Sequence, residues 1–319
     1  MDGLLSINRL AYKLVEELLS EPEVYRIEVY KLPCGSIVID TGLEAAGGYA
    51  AGLMVTRIAM GGAGEAHLGY ADYGGLKLPT VVVSTDHPAI ALFGAQLAGW
   101  RIKVGDYTAD ASGPGRALAL KPKKVYRKIE YKDEAELAVL LLETDEKPTD
   151  EAARFIAEKC GIEPQNLYLL LTSTTSMAGM VQISGRIVET GLFRLDILGL
   201  DLKKVEYGVG YAPIMPPHSD WGKAMGRAED ALTYGGVTSF VVDEEDEMLR
   251  ELAERAPSST SKEYGKPSYE IYKAVDFDFT QIDPALFAPA VVSLTSSRTG
   301  STYTAGEMNV EIIKRSVLD

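Results

Sequence analysis

The chain has 319 residues, 46% of them apolar and 24% charged, an ordinary globular composition in a length that exceeds what one core usually holds, so two lobes are expected. Its 32 basic and 46 acidic residues leave a net charge of −14, which disfavours a sequence-independent grip on nucleic acid or an anionic membrane surface. The longest apolar runs, such as residues 138–142 and 89–93, fall well short of the roughly 20 residues that cross a bilayer, and Asp2, Arg9, Lys13 and Glu16 stand where a signal peptide would be apolar, so a cytoplasmic protein with no membrane span is expected.

Residues 6–19 place Ile7, Leu10, Leu14, Val15 and Leu18 at helical spacing behind Ser6, and Pro22 marks a stop, which predicts an amphipathic opening helix. Residues 25–31 alternate apolar and polar side chains, 33–36 supply turn chemistry and 37–40 continue extended, which predicts a hairpin. Residues 42–64 are dense in glycine around a strand-like 53–60, and the valines of 80–84 read as a buried strand. Residues 121–132 are basic and turn-like, while 134–143 and 151–159 read as two helices before a strand at 167–171. A Ser/Thr-rich loop spans 172–178, and 180–195 mix β-branched residues with glycines and fit neither helix nor strand cleanly.

An acidic helix at 244–255 ends near Pro257, and a polar loop at 258–267 precedes a periodic segment at 269–274. Residues 290–294 and 301–305 read as a hairpin around Thr299 and Gly300. Strands and helices without regular alternation predict an α+β, or irregular α/β, fold. Its two lobes, 1–125 and 126–319, are expected to enclose an interdomain cleft and to be able to exchange segments.

Several familiar chemistries lack their motifs. The run G-G-A-G-E-A-H at residues 61–67 has neither the third glycine nor the helix opening of a dinucleotide fingerprint, and neither G-x-x-x-x-G-K-[ST] nor G-x-S-x-G occurs. His67, His87 and His218 stand in separate segments, so no metal site is expected. Cys34 and Cys160 lie far apart and read as reduced, structural thiols. His87, in T-D-H-P, fits a turn histidine bonded to a neighbouring carboxylate better than a ligand contact.

Five polar or glycine-rich segments interrupt apolar ones, at residues 61–65, 84–88, 104–116, 172–176 and 184–191, and together they suit a large pocket. Spacing alone makes Arg186 and Glu189, in S-G-R-I-V-E-T-G, an i,i+3 ion pair on a solvated helix, contributing roughly 0.2–0.5 kcal/mol. The motif order changes that reading. G-G-Y-A-A-G-L at Gly47, T-D-H-P-A-I-A at Thr85, A-G-W-R-I-K-V-G-D-Y at Ala98 and S-G-P-G-R-A-L-A-L-K-P at Ser112 are followed by S-G-R-I-V-E-T-G at Ser184. Y-G-V-G-Y-A-P-I at Tyr207, K-E-Y-G-K-P at Lys262 and I-D-P-A-L-F-A-P-A-V-V at Ile282 complete the series. In this order, nearly end to end, they resemble the methenyltetrahydromethanopterin cyclohydrolases.

The resemblance implies reversible hydrolysis of a 5,10-methenyl tetrahydropterin C1 carrier to its 5-formyl derivative. It needs no cofactor beyond the carrier, which is the substrate, and it takes place in a homotrimer. Water attacks an amidinium carbon whose positive charge is already shared over two nitrogens, so the protein must supply a positioned base and no Lewis acid. The family's R-x-x-E motif falls on Arg186 and Glu189, which implies Glu189 as general base and Arg186 as the charge that orients it. A free glutamate titrates near about 4.3, and burial under a pterin would raise that while Arg186 opposed it. Asp86 is a candidate for the aminopyrimidinone edge of the pterin, and His87, Ser112, Arg116 and Lys121 are further substrate-binding candidates, the anionic tail suiting the basic stretch of Arg116, Lys121, Lys123 and Lys124. One departure stands out: Leu97 follows Gln96 where the family pattern often reads lysine. Two rival readings remain, the same reaction on a folate-type carrier and a pterin-binding protein without catalysis.

Overall fold

The opening helix lies where its periodicity places it. In the computed structural model, which describes residues 5–318 and so leaves Asp2 outside, α1 (Ile7–Ser20) buries Ile7, Ala11, Val15 and Leu18, and its Arg9 N–H reaches the Ser6 hydroxyl at 3.4 Å. After it come α2 (Pro22–Tyr25), β1 (Glu28–Lys31), β2 (Ile37–Asp40), α3 (Tyr49–Ala59), β3 (Glu65–Tyr73), β4 (Leu76–Thr85) and a π-helical segment (Ala89–Gln96). Next are β5 (Trp100–Val104), β6 (Tyr107–Ser112), α4 (Gly115–Ala119), α5 (Lys123–Ile129), β7 (Ala138–Glu143), α6 (Asp150–Cys160) and β8 (Leu167–Thr172). The rest of the chain forms α7 (Met177–Ser184), α8 (Ile187–Ile197), β9 (Val205–Pro213), α9 (Trp221–Gly235), β10 (Val237–Val242) and α10 (Asp246–Arg255). Last come α11 (Ser268–Ala274), β11 (Val291–Ser296), β12 (Thr302–Gly306) and α12 (Val310–Leu318).

The fold is α+β, with two mixed six-stranded sheets among the described residues. The chain divides into two compact units, one of residues up to 65 with 89–179 and the other of 66–88 with 180 onward. Each holds one sheet. A cut at 125/126 would part β6 from β7, which pair antiparallel from Asp110 with Glu143 to Ser112 with Leu141, so the units do not follow 1–125 and 126–319.

In the first unit the strand order is β1-β2-β8-β7-β6-β5. Val38, Leu140, Leu142, Leu169 and Leu171 pack with Ala152, Ile156 and Ala157 of α6, while Ile39, Val139, Leu141 and Leu170 pack with α1 and α3. Helices on both faces leave β7 buried from Ala138 to Leu142. This corrects the helix expected over 134–143: a strand covered on both sides has no reason to alternate, and its continuous apolar run imitates a buried helix. The strand-like 53–60 is helical instead, because α3 buries Ala51, Met54, Val55, Ile58 and Ala59, and burial around most of its circumference erases the polar face that marks a surface helix. The turn-like 121–132 contains α5, which buries Val125, Tyr126 and Ile129 beneath exposed Lys123 and Lys124.

In the second unit the order is β12-β11-β10-β9-β4-β3. Helix α8 approaches β9 closely because Gly208 and Gly210 face it. A Cβ at 210 would stand 2.7 Å from the Val237 carbonyl oxygen and 3.1 Å from the Val188 side chain, and one at Gly191 would meet the Phe240 ring at 3.1 Å. The G-x-G of β9 and the glycine closing S-G-R-I-V-E-T-G therefore set how deeply α8 seats. The register puts Val82 beside Tyr211, Ser84 beside Val209, and Val241 beside Tyr207 on the sheet's opposite face. That face carries exposed Tyr207, Val209 and Val82.

Candidate active site

The segment 180–195 resolves into α7 and α8 joined by Gly185 and Arg186. The helical ladder runs almost unbroken through the joint: the Gly185 N–H donates to Val181 O at 2.8 Å, Arg186 N–H to Ile183 O at 2.9 Å, and Thr190 N–H to Arg186 O at 2.8 Å. Ser184 anchors the joint to the sheet, its hydroxyl donating to Pro213 O at 2.8 Å. Arg186 occupies the N-cap of α8 and Glu189 its first turn, where the helix N-terminus favours a negative charge.

Arg186 retains 9% of its accessible surface and Glu189 7%, so the pair is not the solvated ion pair that spacing alone suggests. Charged groups are kept out of water only where partners or function hold them. The Arg186 Nε donates to Gln182 Oε1 at 3.2 Å, one helical turn back. The structure thus gives α7 a part in presenting the guanidinium.

A second carboxyl lies in the electrostatic reach of Glu189. Glu229 of α9 is pushed up to about 7, chiefly by burial and then by the charges of Asp230 and Glu189, against hydrogen bonds from Thr233 and Tyr272. The Thr233 hydroxyl donates to its Oε1 at 3.1 Å. Asp230, fully buried, rises to about 6, again chiefly through burial, while its Oδ1 accepts the Ser268 N–H at 2.8 Å. The end of α9 reaches the start of α8, for a Cβ at Gly236 would collide with Ile187 at 2.2 Å. Sequence reading missed Glu229, Asp230 and Gln182, since none carries a motif and a glutamate in α9 looks like any other.

Asp86 and His87 lie in the second unit just beyond β4, both exposed, with the His87 N–H donating to Thr85 Oγ1 at 3.0 Å. The turn is thus held by a hydroxyl acting on the histidine backbone. Ser112, Arg116 and Lys121 belong to the first unit. Ser112 is buried at the end of β6. Arg116 does not join an exposed basic stretch: it is fully buried, its Nε donating to Lys121 O at 2.9 Å and its Nη1 to Phe93 O and Ala95 O, both at 3.2 Å, with the guanidinium 5.7 Å from the Tyr126 ring centre. It ties the carbonyls of the π-helical segment to the loop at 121, and of that basic stretch Lys123 and Lys124 are exposed while Lys121 is half-buried. Leu97 closes that segment through its N–H to Leu92 O at 2.7 Å.

Among the described residues no three His, Cys, Asp or Glu side chains gather as a metal site. His218 Nδ1 accepts the Asp220 N–H at 2.9 Å. Cys160 is buried in the first core, where desolvation pushes its thiol up to about 12. No described helix is long and apolar enough to cross a membrane. The run at residues 61–67 follows α3 and enters β3 at Glu65, with Gly61 and Gly62 at positive φ, so it leads from a helix into a strand, the reverse of a dinucleotide turn.

Fold and site together describe an α+β protein with a buried arginine and glutamate at a helix joint. A family model described as Cyclohydrolase (MCH) matches residues 6–317. The methenyltetrahydromethanopterin cyclohydrolase of Methanocaldococcus jannaschii is 44% identical over 320 residues, covering 98% of each chain. That of Methanothermobacter marburgensis is also 44% identical, over 98% of this chain and 99% of its own, and that of Methanococcoides burtonii is 41% identical over 98% of both. The chain belongs to the methenyltetrahydromethanopterin cyclohydrolase family and is an enzyme.

Proposed function

We propose that this enzyme catalyses the reversible hydrolysis of 5,10-methenyltetrahydromethanopterin to 5-formyltetrahydromethanopterin, with Glu189 as general base and Arg186 holding it oriented. The observation that carries the reading is the burial of both side chains at the α7–α8 joint, in the motif where the family resemblance puts them. As Glu189 removes a proton from water, the oxygen bonds to the methenyl carbon and the amidinium charge is neutralised. The C–N10 bond of the adduct then breaks, N10 taking the hydroxyl proton and the formyl group staying on N5. One proton leaves overall, by way of Glu189. Such positioned general-base catalysis is worth roughly 10²–10⁴-fold.

No cofactor is required beyond the carrier, which is the substrate. Asp86, His87 and Ser112 are the substrate-binding candidates, with Lys121 offering charge to an anionic tail; Arg116 serves them indirectly by fixing the Lys121 backbone. The enzyme works in the cytoplasm as a homotrimer, a state supported by the family resemblance and by the exposed Tyr207, Val209 and Val82 on one face of the second sheet. The reading is tested by adding purified protein to the methenyl carrier and following the methenyl absorbance. Rapid decay with tetrahydromethanopterin and little with a folate-type carrier is expected, whereas the opposite preference would assign the folate reaction. No decay with either carrier would leave a binding protein.

A further inference from the structure

Arg186 is held at one point of its fork. A guanidinium is planar and carries a single N–H at Nε, its other donors all standing on the two Nη atoms. The Nε–H of Arg186 is committed to Gln182 Oε1 at 3.2 Å, and both side chains are buried. Delocalisation stops the fork from turning about Nε–Cζ. Fixing that one hydrogen therefore sets the plane of the whole group and leaves the Nη edge as its only source of further hydrogen bonds.

The contact is built by helical spacing. Gln182 lies in α7 four residues before Arg186, and the bonds from Gly185 N–H to Val181 O and from Arg186 N–H to Ile183 O keep the backbone helical between them, so the two side chains meet on one stripe. Ser184 pins the same turn to Pro213 O. Packing alone gives no reason for an amide here. The Gln182 Nε2 is buried without a hydrogen-bond partner, whereas a methionine would fill the position without burying an unmet donor. What glutamine adds is an uncharged acceptor. A glutamate would also accept, but its charge would compete with Glu189 for the arginine.

Resting on the function proposed above, we infer that Gln182 is a positioning residue: its amide oxygen holds Arg186 by Nε, so that the Nη edge and the undivided charge of the guanidinium are kept for Glu189. The amide itself touches neither water nor carrier. Without it the arginine keeps its charge but not its orientation, and the base it orients spends less time aligned with the attacking water.

Gln182→Met keeps the length of the side chain and removes the acceptor. The variant is expected to fold, checked by circular dichroism and thermal midpoint, and to lose about fivefold or more in kcat with KM changed less than about threefold. Arg186→Met is made alone and together with Gln182→Met. Because the amide works through the arginine, adding Gln182→Met to Arg186→Met is expected to cost less than about twofold more in kcat. NMR of protein labelled with 15N at arginine reads the bond apart from rate: one Nε–H signal, protected from exchange with water in the parent, is lost in both single variants. A kcat loss below about fivefold in Gln182→Met, a loss that multiplies in full with that of Arg186→Met, or protection that persists in Gln182→Met overturns the inference. A parent that leaves the methenyl carrier unhydrolysed overturns the proposed function instead, and the NMR comparison still decides whether the amide holds the arginine.

Discussion

At the scale of single residues, hydrogen-bond partners distinguish buried side chains that sequence motifs treat alike. Arg186 and Arg116 are both arginines in family motifs and both buried, but their surroundings differ. Arg116 spends its guanidinium on three backbone carbonyls, whereas Arg186 donates from Nε to a side chain whose far end is unsatisfied. Arg116→Met should consequently destabilise the first unit by about 3–5 kcal/mol, since it leaves buried carbonyls without donors. Urea unfolding would register this as a lower midpoint, and an unchanged midpoint would contradict the packing role. The R-x-x-E pair was legible in the sequence through the motif order alone. Its burial was not, because a three-residue spacing is equally at home on a wet surface. Gln182, which accepts from Arg186 Nε, was illegible because a lone glutamine carries no motif.

At the scale of elements, α8 is placed by glycines and α9 brings acidic groups to its neighbourhood. Gly210→Ala would bring a methyl group to 2.7 Å from the Val237 carbonyl of β10 and 3.1 Å from the Val188 side chain of α8, straining the sheet and pressing α8 away from β9. A loss of about 1–3 kcal/mol is expected, together with reduced kcat, because the helix that moves carries Glu189. Helix α9 introduces a pH dependence. Glu229 and Asp230 titrate near about 7 and about 6 in the fold against ordinary values of 4.5 and 3.8, so the native state binds their protons more tightly than the unfolded chain does. Their contribution is fully present below about pH 4 and is lost as pH rises through 6 to 7. Denaturation midpoints measured from pH 4.5 to 8 should fall with pH, and Glu229→Gln with Asp230→Asn should flatten that slope. A slope unaffected by both changes would show that neither group is held neutral. Element types were readable where one face meets water, as in α1, α6 and the hairpins of β1 with β2 and β11 with β12. They were misread in β7 and α3, where burial on most sides removes the periodicity on which such reading depends.

At the scale of the whole molecule, the α+β class followed from irregular alternation of elements, but the division of the chain did not. Residues 66–88 leave the first unit to supply β3 and β4 of the second sheet, and 126–179 return to complete the first, an exchange that leaves no change of composition to mark it. The open face around Tyr207 and Val209 suits association of like chains, since it adds no charge to a molecule already at −14. Light scattering should give three times the 34.5 kDa subunit mass, and Val209→Glu should shift it toward one subunit. A parent that scatters as a monomer would remove the trimer. The central claim, that the chain as a whole hydrolyses a methenyl bridge with Glu189 as base, meets its most direct test in one absorbance measurement. Parent protein and Glu189→Gln, each shown to be folded, are mixed with 5,10-methenyltetrahydromethanopterin. The account predicts rapid bleaching by the parent and a rate about 10²-fold lower or less in the variant; bleaching at near-parent rate by Glu189→Gln would contradict it.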